Sequence, residues 1–302
     1  RPEHLGGAVS ITMSIRATPT SHSYYSQGLR LHYLDWGNPD APPLLLVHGN
    51  RDHCHNWDWV AQRLRDRFHI IAPDFRGHGD SSHVVGGGYS HSGYLYDLAQ
   101  LIHQQSLAPL SVIAHSLGGS VALRYAGVYP ENVKRMVVIE GTGGPQWLYH
   151  SVPVHERLKQ WIDGNRIAAG RTPRRYESLE AAFERMQGEN RHLSADQARY
   201  LTVHGSNQNE DGSYSWKFDN YTHVMAPFDL NLEQTRALWS RIDAPLLLVS
   251  GSESEFAKHR VEEQAEYFQN AESLVFENAG HWVHHDQLDG FVLAAERFLT
   301  ND

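Results

Sequence analysis

The stretch Val112-Ile-Ala-His-Ser116-Leu-Gly-Gly119 constrains the fold more than any other part of the chain. A short apolar run over 110–114 leads into a serine flanked by small residues, and a helix-compatible stretch over 120–128 follows directly. The pattern reads as strand, sharp turn and helix, with Ser116 at the apex. A turn of this kind is written Gly-x-Ser-x-Gly because so tight a bend leaves no room for side chains at its flanks. Here the flanks are Ala114 and Gly118, one methyl group from the strict pattern. Gly119 adds a second small residue where helix and strand must pack closely.

Around this turn, short apolar runs alternate with helical spacing. Strand-like runs fall at 29–36, 44–47, 68–72, 110–114 and 136–139, with helix-like stretches at 57–64 and 94–102. The rhythm resumes at 246–249 and 273–276 and ends in a helical stretch at 291–299. Such alternation predicts βαβ units and an α/β fold with a mostly parallel sheet covered on both faces. Between 143 and 242 the rhythm changes. Leu179, Ala182, Phe183 and Met186 share one helical face. Ser194-x-x-Gln197 is a capping-box start, with Gly205 as a stop for that helix. The expected organisation is a core over 21–142 and 243–302, a helical insertion over 143–242, and a polar leader over 1–20. Met13 is a candidate start within that leader.

Composition narrows the function classes. A net charge of −9 argues against nucleic acid or an anionic membrane as partner. No apolar run approaches the roughly 18 residues that a membrane span needs, and 1–12 lacks a secretory hydrophobic segment. The single cysteine, Cys54, leaves no intramolecular disulfide and favours a reducing compartment. A soluble, cytoplasmic protein is expected.

A serine hydroxyl becomes a nucleophile when a base removes its proton and paired donors hold the oxyanion. Of 21 histidines, His281 is the base candidate. It stands in Asn278-Ala-Gly-His281, directly after a strand-like run, at the sheet edge where open α/β folds collect their sites. His284 and His285, on the following turn, are expected to face solvent. One oxyanion donor is the Leu117 N–H at the start of the helix. The second is the N–H of Asn50 in His48-Gly49-Asn50-Arg51, where Gly49 lets the backbone turn inward. His48-x-Asn50-x-Asp52-His53 falls one ligand short of a dinuclear zinc pattern, so no metal is expected. Cys54 reads as a buried thiol near the site, and Arg76-Gly-His-Gly79 as a turn whose charges tie loops together.

These pieces resemble the α/β-hydrolase superfamily from about Tyr24 to Leu299. The matching segments are His48-Gly49, Asp74-Phe-Arg-Gly-His-Gly79-Asp-Ser81, the elbow, Pro245-Leu-Leu-Leu-Val-Ser-Gly251 and Gly280-His281. The resemblance implies an eight-stranded sheet, a helical cap after the sixth strand, and a Ser-acid-His triad. The chain departs from the pattern at the acid. Three residues past Gly251, where most members carry Asp, stands Ser254. Glu140, directly after the 136–139 run, is the favoured acid, since some members, including a group of haloalkane dehalogenases, are similar in carrying theirs there. Glu255 and then Glu253 are the alternatives. The expected activity is a serine hydrolase of carboxylic esters acting on a small molecule without a cofactor. Carbon–carbon bond hydrolases, thioesterases, lactonases and hydrolase-like ligand-binding proteins share the same residues. Trp147, Leu148, Phe183 and Met225 are candidates for an apolar acyl pocket.

Overall fold

Consecutive residues of a strand point to opposite faces of a sheet. A run such as Leu44-Leu-Leu-Val47 is therefore apolar throughout only when both faces are covered. In the computed structural model, which describes residues 18–142, 152–258 and 264–301, this is the arrangement found. The strands are β1 Thr20–Ser26, β2 Leu29–Asp35, β3 Pro43–Val47, β4 His69–Pro73, β5 Leu110–His115, β6 Val133–Ile139, β7 Ser206–Gln208, β8 Tyr214–Trp216, β9 Leu246–Gly251 and β10 Ala271–Phe276. Eight of them form one sheet in the order β1-β2-β4-β3-β5-β6-β9-β10. Only the β1–β2 and β2–β4 pairings are antiparallel. The pairs β3–β4, β3–β5, β5–β6, β6–β9 and β9–β10 are parallel.

The described α-helices are α1 Asp58–Leu64, α2 His91–Gln104, α3 Leu117–Val128, α4 Val154–Ala169, α5 Leu179–Glu189, α6 Ala195–Gly205, α7 Leu232–Trp239, α8 Val283–Asp286 and α9 Leu288–Thr300. On one face, Leu45, Val47 and Val112 pack against Leu98, Leu101, Leu123 and Trp239 of α2, α3 and α7. On the other, Leu44, Leu46 and Ile113 meet Val60, Leu64, Phe291 and Phe298 of α1 and α9. Each such side chain contributes about 1.5–3 kcal/mol on burial. Among the described residues, no helix is long and apolar enough to cross a membrane.

The segment between β6 and β9 carries α4 to α7. Its α6 opens with the capping box of Ser194 and Gln197. Phe183, Leu193, Ala198 and Leu201 form a small apolar cluster that leans on Trp59 and Trp282 of the core. The segment is not wholly helical, because β7 and β8 pair as a short antiparallel hairpin. Three residues per strand, mostly polar, are too few to show alternation. Edge strand β1 is equally silent in sequence, being exposed along its first four residues.

A layer of buried histidines underlies the carboxyl edge of the sheet: His48, His53, His78, His115, His284 and His285. The last two contradict the expectation that they face solvent. The short α8 is tucked inward. His284 stacks on Trp57 at 4.4 Å between ring centroids and is hydrogen-bonded to Asn56. His285 meets the Trp59 ring edge-on at 5.3 Å. A neutral imidazole packs as an aromatic ring, and these rings are kept neutral. Burial pushes His53, His78 and His285 down to about 3, and His115 and His284 well below their ordinary value. Burial drives Asp52 the other way, up to about 8.

These shifts fix the sign of the pH dependence. As pH falls below about 6.5, the unfolded histidines take up protons that the folded ones refuse. Each proton of difference costs about 1.4 kcal/mol of stability per pH unit. Asp52 acts in the opposite sense between about pH 4 and 8, and Asp286, also pushed up by burial, acts with it, but they are two groups against several. The urea midpoint is therefore expected to drop clearly from pH 7.5 to pH 5. A midpoint unchanged over that range, followed by fluorescence, would contradict the neutral histidine layer.

Candidate active site

The turn after β5 is set by steric exclusion. Ser116 has φ 52° and ψ −119°, a conformation L-residues rarely adopt. Its N–H donates to the Ile139 carbonyl at 2.9 Å, and Ser120 N–H donates back to the Ser116 carbonyl at 3.1 Å. A methyl group on Gly118 would come within 2.5 Å of the His48 carbonyl oxygen, and one on Gly119 within 2.7 Å of the Gly141 Cα. A methyl on Gly49 would come within 3.2 Å of the Ser116 Cβ. Leu117 is the first residue of α3, and a helix's first N–H groups have no intrahelical partner. The loop after β3 brings Asn50 alongside, its side-chain amide hydrogen-bonded to His78 Nε2 at 3.2 Å.

His281 follows β10 on a loop with three ties. Gly280 N–H donates to Asp286 Oδ2 at 2.8 Å. The His281 carbonyl accepts from His115 Nε2 at 2.9 Å, and the two rings lie 4.4 Å apart. His281 Nδ1–H donates to Glu140 Oε2. This last bond fixes the tautomer, leaving Nε2 with a lone pair able to accept a proton. Since His115 immediately precedes Ser116, the link through its ring ties the base loop to the elbow strand. In sequence, the one signal His115 offers is its position beside Ser116.

Glu140 leaves β6 with φ 46° and its side chain 2% exposed. Gly251 N–H donates to Oε1 at 3.1 Å, and Ser254 Oγ–H donates to Oε2 at 2.7 Å. Ser254, at the position where the family resemblance leads one to expect an acid, thus binds the Glu140 carboxylate. Glu253 points to His192 at 3.4 Å with its side chain 52% exposed. Glu255 is exposed at the start of a 3₁₀ turn. Neither is brought to His281.

Two groupings invite a metal. His48 Nδ1–H donates to the Gly49 carbonyl at 2.6 Å, and its Nε2 accepts from Phe75 N–H at 3.0 Å, so no ring nitrogen is free. Asp52 is committed to Asn56 and to the His53 N–H. His32, Cys54 and Asp74 converge in the core. Yet Asp74 already accepts from His32 Nδ1, Cys54 N–H and Asp80 N–H, and burial keeps the Cys54 thiol protonated. Both groupings are hydrogen-bonded structural nodes. Arg76 is likewise structural, forking onto Asp97 at 2.5 and 2.6 Å. Of the pocket candidates, Phe183 is buried among Leu193, Ala198 and Leu201, and Met225 is 42% exposed. Trp147 and Leu148 lie outside the described residues.

Comparison with known proteins agrees with this architecture. A family model described as alpha/beta hydrolase fold matches residues 42–288. A serine hydrolase-like protein of Danio rerio is 26% identical over 224 residues, 73% of this chain and 68% of that protein. An esterase of Mycobacterium tuberculosis is 25% identical over 261 residues, 84% of this chain and 81% of its own. An uncharacterized M. tuberculosis protein is 34% identical over 103 residues, 34% of this chain and 30% of that protein. The thioesterase domain from the curacin biosynthetic pathway superposes with a TM-score of 0.79 at 22% identity, covering 91% of this chain and 98% of that one. At that identity the likeness is one of fold, and fold alone does not fix a reaction. The chain belongs to the α/β-hydrolase family.

Proposed function

We propose that the chain is a serine hydrolase that cleaves carboxylic esters through an acyl-enzyme. One observation carries the reading: the Glu140 carboxylate accepts the His281 Nδ1–H, and the residue held at positive φ in the elbow after β5 is a serine. His281 Nε2 takes the Ser116 proton as Oγ attacks the ester carbonyl carbon. The tetrahedral oxyanion is held by the N–H groups of Leu117 and Asn50, donors that strengthen as charge develops. The intermediate collapses, the alcohol leaves with the proton from His281, and water activated by the same imidazole frees the acid. Glu140 holds the imidazole and stabilises its charged form. The segment from α4 to the β7–β8 hairpin acts as the cap that encloses a small-molecule substrate. The names of the zebrafish and mycobacterial relatives favour a hydrolase of this kind.

Ser116→Ala loses only a hydroxyl and keeps the same backbone demand. It is expected to fold as the parent does and to lower p-nitrophenyl ester turnover by about 10³-fold or more. Parent-like turnover by the purified variant would rule Ser116 out as nucleophile. Absence of steady turnover by the parent, with ester binding intact, would favour a ligand-binding protein instead.

Glu140→Gln is expected to reduce kcat by roughly 10²–10⁴-fold, whereas Glu255→Gln and Glu253→Gln stay within a few-fold of the parent. A dead Glu255→Gln variant beside an active Glu140→Gln would move the acid to the loop after β9. Because no step calls on a Lewis acid, exhaustive treatment with EDTA should leave the rate unchanged. Loss of rate restored by zinc would contradict the mechanism.

A further inference from the structure

Beside the candidate oxyanion donor lies a cavity of about 190 Å³ between the loop after β3 and the α5, α6 and β8 region. Asn50, Arg51, Asp52, Trp216, Phe218 and Trp282, the residue after His281, are among its lining residues. A dry cavity of about 150 Å³ holds a benzene, so the space suits one short or ring-sized arm of a substrate.

The charges on the walls are unequal in availability. Lys217 Nζ is engaged by Asp80 Oδ1 at 2.8 Å. Glu189 is paired with Arg185. Asp52 is buried and hydrogen-bonded to Asn56 and the His53 N–H. Among the described residues, Arg51 has no carboxylate partner. Its Cζ lies 5.8 Å from the centroid of the Phe218 ring, another wall residue. Its backbone is held at φ 56°, directly after Asn50. A guanidinium presents a planar fork that matches a carboxylate with two parallel N–H donors. With burial raising Asp52 to about 8, the cavity carries little opposing negative charge at neutral pH.

We infer that this cavity receives the carboxylate-bearing arm of an acidic ester, with Arg51 pairing the carboxylate and the Trp216, Phe218 and Trp282 rings covering the apolar stem. The inference rests on the ester-hydrolase reading for the adjacent bond cleavage, but the cation and the cavity do not depend on it. In a chain of net charge −9, a local unpaired cation is what an anionic substrate requires to be held.

Two measurements separate the inference from the underlying activity. In the first, kcat/KM is compared for mono-p-nitrophenyl glutarate and p-nitrophenyl valerate, which match in acyl length and differ in the terminal carboxylate. The parent is expected to favour the acid, and Arg51→Gln should lower the acid-to-neutral ratio by ten- to a hundredfold, the range a charge-assisted hydrogen bond supports. Arg51→Lys should recover part of that ratio, and raised salt should erode it in the parent. In the second, glutarate binding to Ser116→Ala is read by calorimetry with no turnover involved. Binding that disappears in Ser116→Ala/Arg51→Gln supports the inference even if neither ester is hydrolysed, an outcome that would sink only the esterase reading. Equal use of both esters with a ratio unmoved by Arg51→Gln, or glutarate binding indifferent to Arg51, overturns it.

Discussion

The site depends on the absence of side-chain atoms around one serine. Ser116 sits in a backbone region that costs about 1–3 kcal/mol and persists only where its surroundings over-determine it. Those surroundings are β3 and β6, paired in parallel on either side of β5, and α3, which starts one residue later. Gly118 lets α3 lie on the Val47 and His48 carbonyls, and Gly119 lets it lie on Gly141. A methyl group at either would lift the helix from the sheet and carry the Leu117 N–H away from Ser116. Position 114 escapes this demand. The Ala114 side chain joins the same core cluster as Val112 and Val121, so its methyl fills the interior, where the motif's usual glycine would leave a gap.

The meeting of Glu140 with His281 follows from sheet geometry. Strands β6 and β9 are parallel neighbours in register, Ile139 opposite Val249, and Glu140 N–H continues the ladder to the Val249 carbonyl at 2.9 Å. Adjacent strand ends lie about 4.8 Å apart. A carboxylate leaving either end can therefore reach one imidazole, and glutamate's extra methylene spans the offset from β6. Position 254 supports that carboxylate. Ser254 and the Gly251 N–H, together with His281, give the Glu140 carboxylate three donors. Ser254, Gly251 and His281 are thus joined through the one Glu140 carboxylate.

What the sequence makes legible tracks how local each cause is. The central strands announce themselves because two-sided burial writes an uninterrupted apolar run, and the elbow because its sterics are confined to a few residues. The α6 capping box is local for the same reason. Strand β1 and the β7–β8 hairpin leave little trace, since exposed or very short strands have no apolar alternation to show. The burial of His284 and His285 is invisible because it depends on where α8 docks against Trp57 and Trp59, residues more than 220 positions earlier. The meeting of Glu140 with His281 was open to reasoning from strand order alone. The Ser254 hydroxyl bond to Glu140 was not, because a serine gives no sequence signal of which carboxylate it will find.

The polar interior beneath the site has its own logic. Loops that converge at the carboxyl edge bring backbone N–H and C=O groups inward, and buried polar groups must be hydrogen-bonded. Carboxylates or ammonium groups could satisfy them only at the cost of burying charge. Neutral imidazoles satisfy them without it. His48 uses both nitrogens on the backbone of Gly49 and Phe75. His53 donates to the Leu201 carbonyl of α6 at 3.1 Å and so joins the core to the segment above it. His115 does the same between the elbow strand and the His281 loop. A lysine or aspartate in these places would add a charge beside the Glu140–His281 pair. His48, His53 and His115 thus tie the loops at this edge to one another without placing a further charge in the interior.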